Sequence, residues 1–198
     1  VLDKNGRGSD SAVVAAIDRA IQLKSTYNIR VMNLSLGRPV KESYTKDPLC
    51  QAVESAWRAG IVVVVAAGNM GRDTTAGGYS TITSPGNDPY VITVGAVNHK
   101  GTASRTDDLM ASYSSRGPSV IDRVVKPDLV APGNMVVSTQ SFDNNAGVDF
   151  LSKNYPQNRI TTGMLGSTWQ PTDSSGYFKL SGTSMAAPVV SGAVALML

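Results

Sequence analysis

Ile61-Val62-Val63-Val64-Val65-Ala66-Ala67 is an unbroken apolar run dominated by β-branched residues. A strand with one face in water alternates polar and apolar side chains. One that does not alternate is covered on both faces, the condition of a central strand in a parallel sheet. The run closes on Gly68-Asn69-Met70-Gly71, which reads as a turn. Ligand crevices of open α/β sheets lie at the carboxyl ends of the strands, so this turn faces the candidate site.

Working outward, Asp47-Pro48 pairs a helix cap with a proline at the first helical position. Leu49, Ala52, Val53, Ala56 and Trp57 then share one face before Gly60 closes the helix. Further upstream, Ile29 to Leu34 reads as a strand ended by Ser35-Leu36-Gly37-Arg38-Pro39. Before it, Ser9, Asp10 and Ser11 are candidate caps for a helix carrying Val13, Val14, Ile17, Ala20 and Ile21 and stopping before Asn28. Val1-Leu2 reads as the end of a strand and Asn5-Gly6-Arg7-Gly8 as a turn. Downstream, Tyr90 to Val97 and Met135 to Thr139 read as strands. Residues 141–177 show little periodicity and are expected to form a long loop or insertion, with Trp169 a candidate cleft contact. This helix–strand rhythm implies an α/β layered domain with right-handed crossovers.

The last landmark is Leu180-Ser181-Gly182-Thr183-Ser184-Met185-Ala186-Ala187-Pro188, which ends a strand and opens an apolar helix. Its hydroxyls sit at a helix start, among backbone N–H groups without intrahelical acceptors. A plain N-cap is the ordinary role of Thr183 or Ser184 there. The small residues Gly182, Ala186 and Ala187 add room for something to approach the hydroxyl. Pro188 is expected near the first turn, where a missing N–H costs least.

Composition bounds the alternatives. The chain has 198 residues, 41% of them hydrophobic, enough for one domain or most of one. Its +3 charge comes from 18 basic and 15 acidic residues spread along the chain, giving no footprint for nucleic acid. Neither a membrane-length apolar run nor a signal-peptide pattern occurs. The one cysteine, Cys50, allows no internal disulfide and reads as a small packed residue. The acidic residues are not spaced as a dedicated metal site, so neither metal nor cofactor is expected.

Gly182-Thr183-Ser184-Met185-Ala186-Ala187-Pro188 resembles the catalytic-serine motif of the subtilisin-like serine proteases (subtilases, peptidase S8). Ala66-Ala67-Gly68-Asn69 resembles that family's oxyanion-hole segment, and Asn33-Leu34-Ser35-Leu36-Gly37 its substrate-binding edge. Ala111-Ser112-Tyr113-Ser114-Ser115 and Pro132-Gly133 resemble its later landmarks, all in family order. The resemblance implies a three-layer α/β fold with a mostly parallel central sheet, of which this chain is the C-terminal portion without the N-terminal strands. It implies Ser184 as nucleophile, with its own N–H and the Asn69 amide as oxyanion donors. A polypeptide substrate would lie between Gly6-Arg7-Gly8 and Ser35-Leu36-Gly37 as an added strand. Ser35-Leu36-Gly37 and Ala66-Ala67-Gly68 would wall its side-chain pocket, with Gly86 near the base and Thr183 beside the serine. Arg38 replaces a glycine common in the family. Ser84-Pro85 matches a position that often carries a cis peptide bond.

The acid and base that precede the serine in this family have no matching motif here. His99 sits in the turn Asn98-His99-Lys100-Gly101, and Asp10 is better explained as a helix cap. The missing pair is therefore expected in the remainder of a longer catalytic domain, and this chain alone should have little peptidase activity. Loss of the upstream strands would bare a sheet edge and favour self-association. The family resemblance also implies an extracellular or secreted parent. A non-catalytic peptide-binding domain is the alternative. An acid protease of the sedolisin type would be expected to carry aspartate in place of Asn69, and Ser184 lacks the Gly-x-Ser-x-Gly elbow of other serine hydrolases.

Overall fold

A computed structural model of the chain describes residues 1, 3, 7–75, 77–140, 151, 154–160 and 177–198. The chain divides into two compact units, residues 1–134 with 182–198, and residues 135–181. In the first, Ser9 caps α1 (Asp10–Gln22), its side chain accepting from the Ala12 N–H. A short α2 (Lys24–Tyr27) follows and ends on Asn28 in the left-handed region, φ 51°, a conformation asparagine tolerates. β1 is Val31–Leu34, shorter than the expected Ile29 to Leu34.

Asp47 accepts from the Leu49 N–H and Pro48 opens α3 (Pro48–Arg58), as the Asp-Pro pair predicts. Trp57 departs from the expected buried face: it is 47% exposed and lies on Tyr90, ring centroids 4.8 Å apart. Cys50 is fully buried, and burial raises its thiol pKa far above the ordinary value, so the packed, unreactive role holds.

The apolar run becomes β2 (Val62–Ala66), which pairs in parallel with β1 on one side and β3 (Ile92–Asn98) on the other. β5 (Leu129–Pro132) continues the parallel sheet beside β3, and the short β4 (Leu109–Met110) adds an antiparallel pair. Side chains of β2 alternate between two cores. Val63 and Val65 face Val13 and Ile17 of α1 and Leu49, Val53 and Ala56 of α3. Val64 and Ala66 join Val94 and Ala96 of β3 against Ala186, Ala187 and Val190 of the last helix, α4 (Thr183–Met197). Helices thus cover both faces, giving three layers. Each aliphatic side chain buried this fully stabilises by roughly 1.5–3 kcal/mol, which is why the run needs no polar face.

Residues 135–181 contain a small antiparallel sheet. β6 (Val136–Thr139) and β7 (Arg159–Ile160) both pair with β8 (Tyr177–Leu180). Most of the expected long loop, Trp169 included, lies outside the described residues, as do Leu2 and Gly6.

Candidate functional site

Two element ends meet at the site: the turn after β2 and the start of α4. Gly68 has φ 108°, and a Cβ there would lie 2.8 Å from Ser115 Oγ and 2.9 Å from Thr83 Cγ2, so only glycine fits. The turn brings the exposed Asn69 side chain to Thr183, whose N–H donates to Asn69 Oδ1 at 2.9 Å and whose hydroxyl donates to the same oxygen at 3.1 Å. An N–H can only donate, so the amide atom facing it is the oxygen. The Nδ2 group therefore points toward Gly182, where an added Cβ would sit 3.4 Å from it. Thr183 is fully buried, and its Oγ1 also accepts from the Gly68 N–H at 3.2 Å. Among the described residues, neither Asn69 Nδ2 nor the Ser184 N–H has an acceptor.

Pro188 stands inside α4, not in its first turn as expected from the sequence. A residue with an N–H there would have bonded the Ser184 carbonyl, four positions earlier. The Ser35 hydroxyl donates to that carbonyl instead, at 2.9 Å, so the helix's lost bond is replaced from the neighbouring edge. In return Ser184 Oγ donates to the Ser35 carbonyl at 3.3 Å. Asn33 Nδ2 donates to Ser35 Oγ at 2.9 Å, and Ser191 Oγ donates to Asn33 Oδ1 at 2.9 Å. The seat of Ser184 is thus tied to β1 and to the edge that follows it.

A cavity of about 310 Å³ opens beside Ser184, walled by Leu36, Gly37, Ala66, Gly68, Thr83 and Thr183. Ala67 and Gly86 do not line it; both are buried, and an added Cβ on Gly86 would meet the Ala66 and Thr83 carbonyls at 3.1 Å. Thr83 takes the wall position that the sequence did not mark. Its hydroxyl bonds the Ala67 carbonyl, and a Cβ on Gly37 would reach it at 2.6 Å. Ser84-Pro85 is cis.

Gly8 and the segment Ser35–Gly37 line a second hollow of about 230 Å³ together with Asp10, Val13, Arg38 and Leu49. The Arg7 N–H donates to Asp3 Oδ1 at 2.9 Å. Arg38, the departure from glycine, reaches across: Nε to Asp10 Oδ2 at 2.7 Å and an Nη to Asp47 Oδ1 at 2.8 Å. Partial burial opposes the guanidinium charge, but the hydrogen bonds and charges of Asp10 and Asp47 outweigh it and hold the pKa above its usual value. Its backbone also pairs with Ser84 in both directions. His99 lies beyond β3, where Nδ1 accepts from the Gly101 N–H at 3.1 Å. Among the described residues no group of three or more His, Cys, Asp or Glu could hold a metal ion, and no helix is long and apolar enough to cross a membrane.

A hydroxyl at a helix start on a three-layer α/β frame, with its own N–H and the Asn69 amide both lacking an acceptor among the described residues, is an arrangement that serine hydrolases use. The comparisons narrow the class. The sequence profile of the subtilase family (Peptidase_S8) matches residues 1–198, and the chain belongs to that family. It is 41% identical to the serine protease AprX of Bacillus subtilis (strain 168) over 203 residues, covering 100% of this chain and 40% of the relative. It is 35% identical to subtilisin DY of Bacillus licheniformis, covering 100% of this chain and 52% of the relative. Among solved structures it resembles the S41 psychrophilic protease at a TM-score of 0.67 and 27% identity, and sphericase at 0.66 and 28%, each over 100% of this chain and 52% of the other. The chain therefore spans about half, or less, of these relatives' lengths.

Proposed function

We propose that this chain is the C-terminal portion of a subtilisin-type endopeptidase domain in which Ser184 attacks the peptide carbonyl and forms an acyl-enzyme. The Ser184 N–H and Asn69 Nδ2 are the donors for the oxyanion. The observation that carries this is the amide orientation: Thr183 occupies Asn69 Oδ1, and Nδ2, directed toward Gly182, has no acceptor among the described residues. The substrate is a polypeptide laid between Arg7-Gly8 and Ser35-Leu36-Gly37, with one side chain in the cavity beside Ser184. The acid and base come from the rest of the catalytic domain, a reading supported by the share of each relative that the chain spans.

Ser184 Oγ donates its hydrogen bond to a backbone carbonyl here, not to a base. A hydroxyl so held is a poor nucleophile, so this chain by itself is expected to show little or no turnover. The same bond favours the second reading, a peptide-binding domain that does not cleave. A fluorophosphonate separates the two. The longer protein should label and this chain should not, with labelling lost in Ser184→Ala; an unlabelled longer protein would leave the binding domain. We also propose an extracellular parent, on the similarity to an extracellular serine proteinase of Thermus sp. (strain Rt41A). Among the described residues β1 is paired on one side only, with β2, which supports self-association of this chain; concentration-dependent light scattering checks it.

A further inference from the structure

A hollow of about 590 Å³ lies between Tyr79, Met110 and the segment 116–127, and it shares no lining residue with the cavity beside Ser184. Its walls are largely apolar: Tyr79, Met110, Pro118, Val125 and Pro127, with Tyr79 left 56% and Val125 82% exposed. Three cations line it as well, and they are not alike. Lys126 is buried and spent, its Nζ donating to the Val91 carbonyl and to Asp128 Oδ2 at 2.8 Å each. Arg116 is half-buried and unspent: its Nε is shut off from solvent without a hydrogen-bond partner. Among the described residues no carboxylate pairs with Arg116 or Arg123. Asp122, beside Arg123 in the chain, turns Oδ2 to the Tyr44 N–H instead, at 2.9 Å. A buried N–H that has given up water without a new acceptor is costly. The Arg116 guanidinium lies over the Tyr79 ring, 5.8 Å from its centroid, a contact that steadies it and uses none of its N–H groups. Main-chain bonds set the frame around it. Thr81 N–H donates to the Arg116 carbonyl at 2.9 Å and Arg116 N–H to Thr81 Oγ1 at 3.0 Å, while Gly117 N–H reaches the Lys126 carbonyl at 2.8 Å.

We infer that this hollow binds a carboxylate with a hydrocarbon body, the chemistry of a medium-chain fatty acid, and that Arg116 takes the carboxylate. A guanidinium fork presents parallel N–H groups that match two carboxylate oxygens, and Nε is one of the groups left unused here. The hydrocarbon would cover Tyr79, Met110 and Val125, so one molecule answers both the unpaired cation and the exposed apolar walls. Arg123, which is exposed, adds a second positive charge without a partner of its own. A bare anion would leave the walls in water, and a neutral hydrocarbon would leave Nε unpaired. The volume lies within the span of small-molecule sites, roughly 300–1,000 Å³.

The test titrates the 198-residue chain with octanoate, 1-octanol and acetate, each followed through the backbone amide shifts of Gly117, Val125 and Lys126. Octanoate should bind about tenfold more tightly than octanol, the worth of a charge-assisted pair at a half-buried site, with acetate weakest. High salt should narrow the gap between octanoate and octanol. Arg116→Met keeps the stem and removes the fork, so octanoate should fall to the affinity of octanol while octanol itself is unchanged. Arg116→Lys, a point charge without the fork, should keep only part of the gain. If the Met variant does not fold, the Lys variant and the salt dependence decide. Octanol binding as tightly as octanoate, or an octanoate affinity unchanged in Arg116→Met, overturns the proposal. Acetate matching octanoate overturns it too, by making the hollow a bare anion site, as does no binding of octanoate at all. None of these outcomes bears on the peptide cleft proposed above.

Discussion

Thr183 determines where Asn69 points. It meets the amide oxygen with an N–H and a hydroxyl and leaves the NH2 toward Gly182, next but one to Ser184 in the chain. An oxygen facing the cleft would repel the charge that the amide is proposed to hold. Asn69→Ala in the complete catalytic domain should therefore lower kcat by about a hundred- to a thousandfold, the magnitude characteristic of this family's oxyanion donors and taken over from it. KM should change little, because the donor acts on charge that develops only in the transition state. A comparable loss in KM alone would mean that Asn69 binds ground-state substrate. Asparagine after a strand is legible as a turn residue. The partner that orients it lies 114 positions away and carries no signal in the sequence around Asn69.

Arg38 joins the edge after β1 to the starts of α1 and α3. Asp47 both caps α3 and takes the guanidinium, although it is fully buried. Arg38→Met would leave a buried carboxylate without its cation, and the domain should lose about 3 kcal/mol, at the low end for such a loss because Arg38 is itself 17% exposed. Asp47→Asn keeps an oxygen for the Leu49 N–H and removes the charge. Combined with Arg38→Met, it should recover part of the loss, and urea unfolding of the four proteins measures this coupling. Strict additivity would show that the pair contributes nothing as a pair. The Asp-Pro start of α3 was evident in the sequence, because a cap is local chemistry. The ion pair was not, since nothing local says that a loop arginine bends back to a cap.

The stability of the whole domain should carry the mark of Asp88. It is fully buried, its Oδ1 accepts from the Tyr90 N–H at 2.8 Å, and its Oδ2 has no partner among the described residues. Burial pushes its pKa up to about 7; the Tyr90 N–H and Lys126 work against this, while Glu54 and Asp47 add to it. Between about pH 4 and about pH 7 the folded chain holds a proton that the unfolded chain has lost. Unfolding in that window releases this proton, and because the unfolded state binds fewer protons than the native one, stability falls as pH rises through it. Its stabilising contribution is complete below about pH 4 and gone above about pH 7. Urea unfolding should show a loss of about 2–3 kcal/mol from pH 5 to pH 8, and Asp88→Asn should flatten it. An unchanged slope in that variant would place the proton elsewhere.

The β2 run, the Asp-Pro cap, the Gly68-Asn69 turn and the Gly-Thr-Ser helix start could all be read before folding, because each is set by neighbours within a few residues. They sufficed for the layered α/β frame and the family. Folding set which donors stay free, that Thr83 rather than Gly86 walls the cavity beside Ser184, that the Ser35 hydroxyl replaces the bond missing at Pro188, and that Arg38 turns away from solvent to two acids. These depend on atoms brought together across the sheet, and hydrogen-bond partners and buried charges are properties of that juxtaposition, not of local pattern.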